Sequence, residues 1–433
     1  MGGVGVDGGT TAAAAAARGA TARASESDDS ATDGSSASVS AEKRSLLVDA
    51  ADGVEAWEVR EKRRRKSARG KPPRKSKAGE DVDGNAREEP YVTTPELEDS
   101  ARASPSVVDV GVLTEEGEKS REILGARVVV GAALAQGQRQ YMEDRYSTVL
   151  DLKPEGVVEC DGIRRSFLGV FDGHNGDWAA QFASERLHTF LNQDILTRNA
   201  SPSCPDATAQ YNAEMEKSLK KMYMDCDAVI LDSTSQQGRR DGSTALSILQ
   251  VGNALFTAHA GDSRAVVGYA DGRTRAMTED HKPSTVTERR RVTEIGGRIE
   301  FCGCWRVIAD HPFKPVRAAL AVSRSLGDID FKRPKDTGVT AEPDVQRYEL
   351  NKNVNFVILA TDGMWDVIRD QEAGDIARGK LTEHGVLLDG ECTTSDLTAI
   401  ESACNEAAKE LLETSLRRGT NDNVTVVVAM YVH

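Results

Sequence analysis

The sequence has few cysteines and no long apolar run. Its seven cysteines are an odd number, scattered along 433 residues, and only Cys302 and Cys304 lie close together. This spacing gives neither a disulfide framework nor a CxxC zinc site, and it is typical of a reducing compartment. No apolar stretch approaches the roughly 20 residues that span a bilayer. We therefore expect a protein that does not cross a membrane.

The chain also lacks an overall excess of basic residues. It has 55 Lys and Arg against 69 Asp and Glu, a formal net charge of −14. This balance argues against binding nucleic acid or an anionic membrane through the overall field, although it permits a local basic patch. The segment 61–77, with ten Lys and Arg and one Glu, is such a patch. It fits a nuclear-import signal or an electrostatic docking arm, and equally a solvated charged linker.

The first 120 residues have little to bury. They are mostly Ala, Gly, Ser, Asp, Glu, Lys and Arg, with no sustained apolar period. Such a segment cannot bury enough surface to offset the entropy of ordering it. We predict a disordered arm over 1–120 and a folded domain over 121–433. A secretory signal requires a basic segment before its apolar run, and no such segment precedes the early Ala run. The expected location is therefore nuclear, cytoplasmic or both.

Apolar runs separated by polar turns follow from about residue 125. Strands are predicted from about residue 126 and over 165–171, 244–251, 254–260, 265–269, 356–360 and 424–432. Helices are predicted over 178–191, 211–230, 283–295, 371–378 and 397–417. The strands between 244 and 269 are interpreted as an antiparallel meander, and 298–320 as irregular. Strands in runs with helices between them indicate an α+β fold of packed antiparallel sheets flanked by helices.

Acidic residues recur in short motifs, most of them beside an apolar run. The motifs are QRQYMEDRY, VFDGHNG, HAGDSR, EDHKP, SLGDID, ATDGMWD and TNDNVT. Carboxylates gathered at strand ends form an oxygen-rich cage for hard divalent cations, the kind that handles phosphate. The chemistry is therefore predicted at Glu143, Asp144, Asp172, Asp262, Asp362, Asp366 and Asp422.

Two of these motifs have a local rationale. Asp172 ends a predicted strand before Gly173, which lets the backbone approach a ligand, so the Asp172 carboxylate and the Gly173 carbonyl are expected to face a metal. A plain Asp-Gly turn is the alternative for an isolated pair. Asp362 and Asp366, four residues apart at a helix start, are expected on one side, and an N-cap role for Asp362 is compatible with this.

Glu143 and Asp144 are neighbours on a predicted strand. Their side chains are expected to point to opposite faces, so only one of them is expected to ligate a metal directly. A surface ion pair with Arg139 or Arg145 is the alternative, and it applies to Asp144 in particular.

In type, order and spacing the motifs resemble those of the metal-dependent protein phosphatases of type 2C. The resemblance covers essentially everything after about residue 125 and is carried by QRQYMEDRY, GVFDGHNGDWAA, DGSTAL, HAGDSRAV, EDHKP, AVSRSLGD, LATDGMWDV and GTNDNVTVVV. It implies a four-layer α-β-β-α sandwich with two or three Mn²⁺ or Mg²⁺ ions at one end. It also implies a protein serine/threonine phosphatase that hydrolyses phosphoserine and phosphothreonine with metal-activated water and no covalent intermediate.

The resemblance implies roles for individual residues. Asp172 bridges two ions, Asp144 orients metal-bound water, and the Glu143 position serves the second ion. Asp362 and Asp422 belong to the first site. The implied weaker third site consists of Asp262, Asp362 and Asp366. The implied metal ligands are therefore Glu143, Asp172, Gly173, Asp262, Asp362, Asp366 and Asp422.

Two residues are expected to contact the substrate. Arg139 is predicted to clamp the phosphate, because a guanidinium grips two oxygens in a bidentate fork and keeps its charge. Arg264 and Arg324 compete for this role but are expected to be structural. His174 is the predicted general acid, since its pKa lies near neutrality and a departing alkoxide needs a proton. The histidines expected to be structural are His259, His281 and His311.

The stretch FCGCW stands where the family has a flap beside its active site, so Trp305 either contacts a partner or only packs. Two other functions compete with the phosphatase. A catalytically weak family member acting as a regulatory binding scaffold is disfavoured because the expected carboxylates are present. A nuclease or polymerase is disfavoured because the domain is acidic and has no basic, aromatic groove. The expected partners are phosphorylated protein substrates and not nucleic acid, and the chain is taken as a monomer.

Overall fold

The structure is a computed structural model that describes residues 124–154, 162–198, 205–310, 317–333 and 336–433. The predicted disordered arm, its basic cluster 61–77 and the boundary near residue 120 lie outside the described residues, as does His311. The division at residue 120 therefore stays a prediction. None of the helices in the described ranges is long and apolar enough to cross a membrane.

The strands and helices are numbered in chain order within the described ranges. The strands are β1 Arg127–Ala135, β2 Arg145–Val149, β3 Arg165–Phe171, β4 Gly173–His174, β5 Gly242–Ser243, β6 Ala245–Val251, β7 Ala254–Ala260, β8 Arg264–Tyr269, β9 Thr274–Ala276, β10 Arg298–Cys302, β11 Cys304–Asp310, β12 Arg317–Leu320, β13 Leu326–Gly327, β14 Asp344–Glu349, β15 Val354–Ala360, β16 Leu387–Leu388, β17 Glu391–Cys392 and β18 Val424–Val432. The helices are α1 Trp178–Arg186, α2 Gln193–Leu196, α3 Pro205–Gln237, α4 Val286–Glu294, α5 Ile329–Lys332, α6 Asp362–Trp365, α7 Asp370–Glu383 and α8 Leu397–Arg417. A single 3₁₀ turn, Leu187–Phe190, follows α1.

Two five-stranded antiparallel sheets form the centre of the fold. Their strand orders are β1-β18-β15-β8-β9 and β14-β7-β6-β3-β2. Every residue of β3, β6, β7 and β15 is buried, because these strands are covered on both faces. The apolar layer between the sheets contains Leu168, Val170, Leu246, Val357 and Val427. This layer joins the sheets into a sandwich.

Helices cover both outer faces. On one face, α7 and α8 pack against the first sheet, and the buried residues of α8 recur every three or four positions, as an amphipathic helix requires. On the other face, Tyr211 of α3 lies 6.3 Å from the Phe256 ring, and the Tyr223 hydroxyl donates to the Ala258 carbonyl at 2.6 Å. The predicted four-layer α-β-β-α sandwich is therefore confirmed.

The predicted meander is wrong in its last strand. Strands β6 and β7 pair with each other as expected, but β8 pairs with β15 in the other sheet. The chain changes sheets at Gly261, whose φ is 119° and where a Cβ would lie 2.6 Å from the Thr244 side chain. An apolar run predicts a strand but not its partner, since pairing is decided by distant residues. Asp262 follows Gly261, so it lies where the chain passes between the sheets.

The structure of the segment 298–320 also differs from the prediction of an irregular stretch. It contains β10, β11 and β12, which form a separate antiparallel sheet in the described part of the segment. Phe301 lies opposite Trp305 in the hairpin, with ring centroids 5.5 Å apart, and the Arg289 guanidinium lies 4.0 Å from the Trp305 ring centroid. Much of this sheet is exposed, so the apolar alternation that reveals a strand is weak.

Most of the other predicted elements differ from the structure only at their ends. The helix predicted from residue 283 begins at Val286, because Thr285 is its N-cap. The helix predicted over 178–191 ends at Arg186 and continues as the 3₁₀ turn. Helices α3 and α7 are longer than predicted, while β3, β7, α8 and β18 have the predicted bounds.

Candidate metal centre

Three carboxylates meet where strands of the two sheets end. Asp172 follows β3, Asp262 follows β7, and Asp362 is the first residue of α6 after β15. One oxygen from each lies within 4.8 Å of the others. Asp362 is not itself the N-cap of α6, since Thr361 holds that position. The structure thus brings together residues that are far apart in the sequence.

Thr244 fixes the backbone around this cluster. Its N–H donates to the Asp172 carbonyl at 2.9 Å, and the Asp172 N–H donates to its hydroxyl at 3.0 Å. The same hydroxyl lies 2.8 Å from the Ser263 hydroxyl, next to Asp262. These hydrogen bonds tie the chain after β3 to the chain after β7. They set the separation between the Asp172 and Asp262 carboxylates.

The cluster is partly buried and short of positive charge. Burial raises the pKa of Asp172 and of Asp362 well above the ordinary value, and repulsion among the neighbouring carboxylates raises it further. Burial also raises the pKa of Asp262, against the opposing charge of Lys282. Among the described residues, the buried Oδ1 of Asp362 accepts no hydrogen bond. Clustered carboxylates with an unpartnered oxygen fit a hard divalent cation, which prefers oxygen ligands.

Glu143 and Asp144 lie in the segment before β2, so their predicted place on a strand is wrong. Asp144 is buried and accepts a hydrogen bond from the Thr361 hydroxyl at 2.8 Å, next to Asp362. Burial raises its pKa to about 6. Glu143 makes a different contact, since its Oε1 accepts a hydrogen bond from the Gly176 N–H at 2.7 Å. A surface ion pair is therefore wrong for Asp144.

Gly173 allows two backbone segments to come close together. A Cβ at this position would lie 2.4 Å from the Glu143 carbonyl oxygen, so a larger residue would push the segment before β2 away. Glu143 and Gly173 are thus neighbours in the structure, although 30 positions separate them in the sequence. Both lie beside Asp172.

Asp422 and Arg139 meet at the rim of the cluster. The Arg139 guanidinium donates to Asp422 Oδ2 at 2.5 Å, and its side chain is 56% exposed. Asn423 holds the two segments together, because its amide donates to the Gln136 and Tyr141 carbonyls at 2.7 and 3.0 Å. Asp422 is close enough for its charge to help raise the pKa of Asp362. Asn423 was not singled out from the sequence.

His174 has a partner that the sequence analysis missed. Its Nε2 lies 2.9 and 2.8 Å from the two carboxylate oxygens of Asp328, whose side chain is 1% exposed. The Ser325 hydroxyl also donates to Asp328, at 2.6 Å. Burial lowers the pKa of His174, but the Asp328 charge more than offsets this, so the pKa is raised. The only signal in the sequence was an acid in SLGDID without an assigned role.

Asp366 lies at the outer edge of the cluster. Its side chain is 64% exposed, and Lys282 Nζ lies 3.7 Å from one of its oxygens. The same Nζ lies 3.5 Å from Asp262. The site is thus buried at Asp262, partly buried at Asp172 and open to solvent at Asp366.

The remaining candidates form structural pairs, as predicted. Arg264 donates to Asp280 and Asp370, and Arg324 donates to Glu288 and Asp344. His259 Nε2 lies 2.8 Å from the Glu279 carbonyl, and burial lowers the pKa of His259 to about 4. His281 Nε2 lies 3.1 Å from Asp344 and stacks on the His259 ring at 4.4 Å.

Comparison with known proteins gives the family. Residues 129–424 match the family model Protein phosphatase 2C. The chain is 33% identical over 303 residues to the "Probable protein phosphatase 2C member 13, mitochondrial" of Oryza sativa subsp. japonica, which covers 70% of this chain and 68% of that protein. It is 32% identical over 303 residues to "Probable protein phosphatase 2C 52" of the same organism, covering 70% of this chain but only 50% of that protein.

A solved structure supports the same fold. The serine-threonine phosphatase 2C from Toxoplasma gondii is similar with a TM-score of 0.53 at 23% sequence identity, over 71% of this chain and 97% of that chain. The chain belongs to the protein phosphatase 2C family, as its motifs predicted. This family is metal-dependent, and the acidic cluster of Asp172, Asp262 and Asp362 is present. The chain nevertheless spans about half the length of one of these relatives.

Proposed function

We propose that the chain is a metal-dependent protein serine/threonine phosphatase that hydrolyses phosphoserine and phosphothreonine in protein substrates. The observation that carries this proposal is the partly buried cluster of Asp172, Asp262 and Asp362, whose ligand atoms lie within 4.8 Å of one another. Family membership supports it. The proposed cofactors are two or three Mn²⁺ or Mg²⁺ ions, which when bound supply the positive charge that polarises a phosphate group and activates water.

The proposed ligands surround this cluster. Asp172, at its centre, and Asp362, with its unpartnered oxygen, are assigned to the inner positions. Asp422 and Glu143 with Gly173 flank them, and the buried Asp262 and the exposed Asp366 are assigned to an outer position beside Lys282. Asp144 has a second carboxylate oxygen without a hydrogen-bond partner among the described residues, so it is assigned to orient water.

Arg139 and His174 are the proposed substrate residues. The exposed guanidinium of Arg139 stands at the rim beside Asp422, which suits a phosphate clamp. The raised pKa of His174 favours the protonated ring, which can give its proton to the departing serine or threonine oxygen. Asp328 is then a positioning residue that orients the ring and stabilises its positive charge.

Removing the metal should abolish turnover of a phosphothreonine peptide. The carboxylate cage cannot hold a phosphate group without cations, because like charges repel. We expect no phosphate release in EDTA and full recovery on adding excess Mn²⁺, measured as inorganic phosphate. Full activity in EDTA would contradict the proposal, and peptide binding without turnover in Mn²⁺ would indicate a scaffold instead.

The change Asp328→Asn should lower kcat on a phosphothreonine peptide by roughly 10-fold or more, with little change in KM. The amide cannot stabilise a positive His174 ring, although it keeps the shape of the side chain. The matched control is Asp232→Asn, an exposed partner of Arg333 outside the cage. An unchanged kcat in a folded Asp328→Asn protein would show that this contact does not matter for proton transfer.

A further inference from the structure

The ammonium group of Lys282 lies among the carboxylates at the outer edge of the cage. Its Nζ is 3.5 Å from Asp262, 3.7 Å from Asp366 and 3.8 Å from Asp280. Asp280 already accepts two hydrogen bonds from Arg264, at 2.9 and 2.8 Å. The charge of Lys282 is therefore left to compensate Asp262 and Asp366, the two residues assigned to the outer edge.

The backbone holds Lys282 in this place. The His281 N–H donates to the Gly261 carbonyl at 2.9 Å, and the Gly261 N–H donates to His281 Nδ1 at 3.3 Å. These bonds tie the residue before Lys282 to the residue before Asp262. The Ser323 N–H and hydroxyl both donate to the His281 carbonyl, at 2.9 and 3.0 Å. Lys282 therefore has its Cα fixed beside the cage, unlike a lysine on a mobile surface loop.

The inner part of the cage, at Asp172 and Asp362, and the outer part, at Asp262 and Asp366, differ in whether a basic side chain pairs with their carboxylates. Among the described residues, no Lys or Arg forms an ion pair with Asp172 or Asp362, and the charge of Lys282 acts on Asp362 only from beyond ion-pair distance. At the outer edge, an ammonium already lies within ion-pair distance of Asp262 and Asp366. A divalent cation that binds there must either displace the ammonium or accept repulsion from it at a distance of about 4 Å.

We propose that Lys282 is a built-in cation that competes with the outermost divalent ion for Asp262 and Asp366. It thereby sets the free metal concentration at which the outer position fills, while the inner positions, where Lys282 makes no ion pair, fill with less of this competition. The inference rests on the proposed function, because it needs the cage to bind metal. It assigns Lys282 a role in metal affinity that is separate from any contact with substrate.

The test is Mn²⁺ binding to the full-length protein, followed by the electron paramagnetic resonance signal of free Mn²⁺ during a titration. Neutral variants Lys282→Met and Lys282→Gln should tighten the weakest binding step by about 10-fold or more, a size typical of coupling between two sites. The tighter steps should change little. Lys282→Arg keeps the charge and should bind Mn²⁺ like the wild type.

The chain offers a matched control in Lys380. Its side chain is 27% exposed, against 33% for Lys282, and its Nζ lies 3.0 Å from Glu383 and 3.8 Å from Glu410, outside the cage. Lys380→Met should leave all binding steps unchanged. Asp366→Asn should weaken the same step that Lys282→Met tightens, which identifies that step as the outer position. Thermal melting of each variant verifies that the fold is retained.

The outcomes separate the inference from the function on which it rests. An unchanged weakest step in both neutral variants would overturn the role of Lys282 while leaving the metal cage in place. A weaker step would also overturn it, since Lys282 would then be holding Asp262 and Asp366 in position for the ion. A wild-type protein that binds no Mn²⁺ would remove the proposed function, and the inference with it.

Discussion

Replacing Asp172 with Asn is expected to reduce turnover of a phosphothreonine peptide by several orders of magnitude at saturating Mn²⁺. Asp172 is one of the three carboxylates of the cluster, and the charges of four neighbouring carboxylates raise its pKa. A neutral amide supplies no negative charge to balance the bound dications. Their binding and their activation of water are therefore weakened. The measurement is kcat from phosphate release, with bound Mn²⁺ determined in parallel.

The same variant should be at least as stable as the wild type when metal is absent. The pKa of Asp172 is raised in the folded state, so ionisation favours the unfolded chain. This group therefore costs folding stability increasingly as the pH rises from the pKa of the unfolded-state carboxyl to the raised pKa of the folded state. Asn removes that cost. We expect an unchanged or higher Tm in EDTA and a smaller rise in Tm on adding Mn²⁺.

Asp366→Asn is the matched control for this prediction. It makes the same chemical change in a residue of the same cage, but at an edge that is 64% exposed. It should cost much less activity at saturating Mn²⁺, because the inner positions keep their carboxylates. If Asp172→Asn retained wild-type turnover, or if both variants lost activity equally, the central place given to Asp172 would be wrong.

The fold was predictable wherever the sequence signal is local. Helix α8 has the predicted bounds because its apolar period is regular and Asp396 caps its start by accepting from the Thr398 N–H at 3.0 Å. Strand β3 has the predicted bounds because it is a short apolar run followed by Asp172. Strand β8 was assigned to the wrong sheet, since its pairing with β15 joins residues about 90 positions apart and leaves no local trace.

The candidate site also contains residues that could be predicted from the sequence and contacts that could not. Asp172, Asp262 and Asp362 were predictable as a group, because each follows an apolar strand and strand ends meet at one end of a sandwich. The contact between His174 and Asp328 was not predictable, since 154 positions separate the two residues and SLGDID is not next to a long strand. Nothing in EDHKP indicated that Lys282 would lie beside Asp262.

The second large effect is expected for His174→Gln, which should lower kcat on a phosphothreonine peptide by roughly 10²-fold or more. A threonine alkoxide is strongly basic and must be protonated as the P–O bond breaks, whereas p-nitrophenolate departs unassisted. The loss on p-nitrophenyl phosphate should therefore be much smaller. Gln can still donate a hydrogen bond to Asp328, so the change removes the transferable proton and keeps the contact. The comparison is the ratio of kcat values on the two substrates.

The controls decide between proton donation and support of the cage. His384→Gln, at the exposed end of α7, should leave both substrates unaffected. Equal losses on both substrates together with weaker Mn²⁺ binding would mean that His174 organises the cage instead. Asp328 is proposed to act only through His174, so adding Asp328→Asn to His174→Gln should cost little further activity, whereas independent roles would give additive losses. Proton transfer through His174 therefore predicts two results together. The losses of kcat in the double variant are not additive, and the loss from His174→Gln is larger on the phosphothreonine peptide than on p-nitrophenyl phosphate.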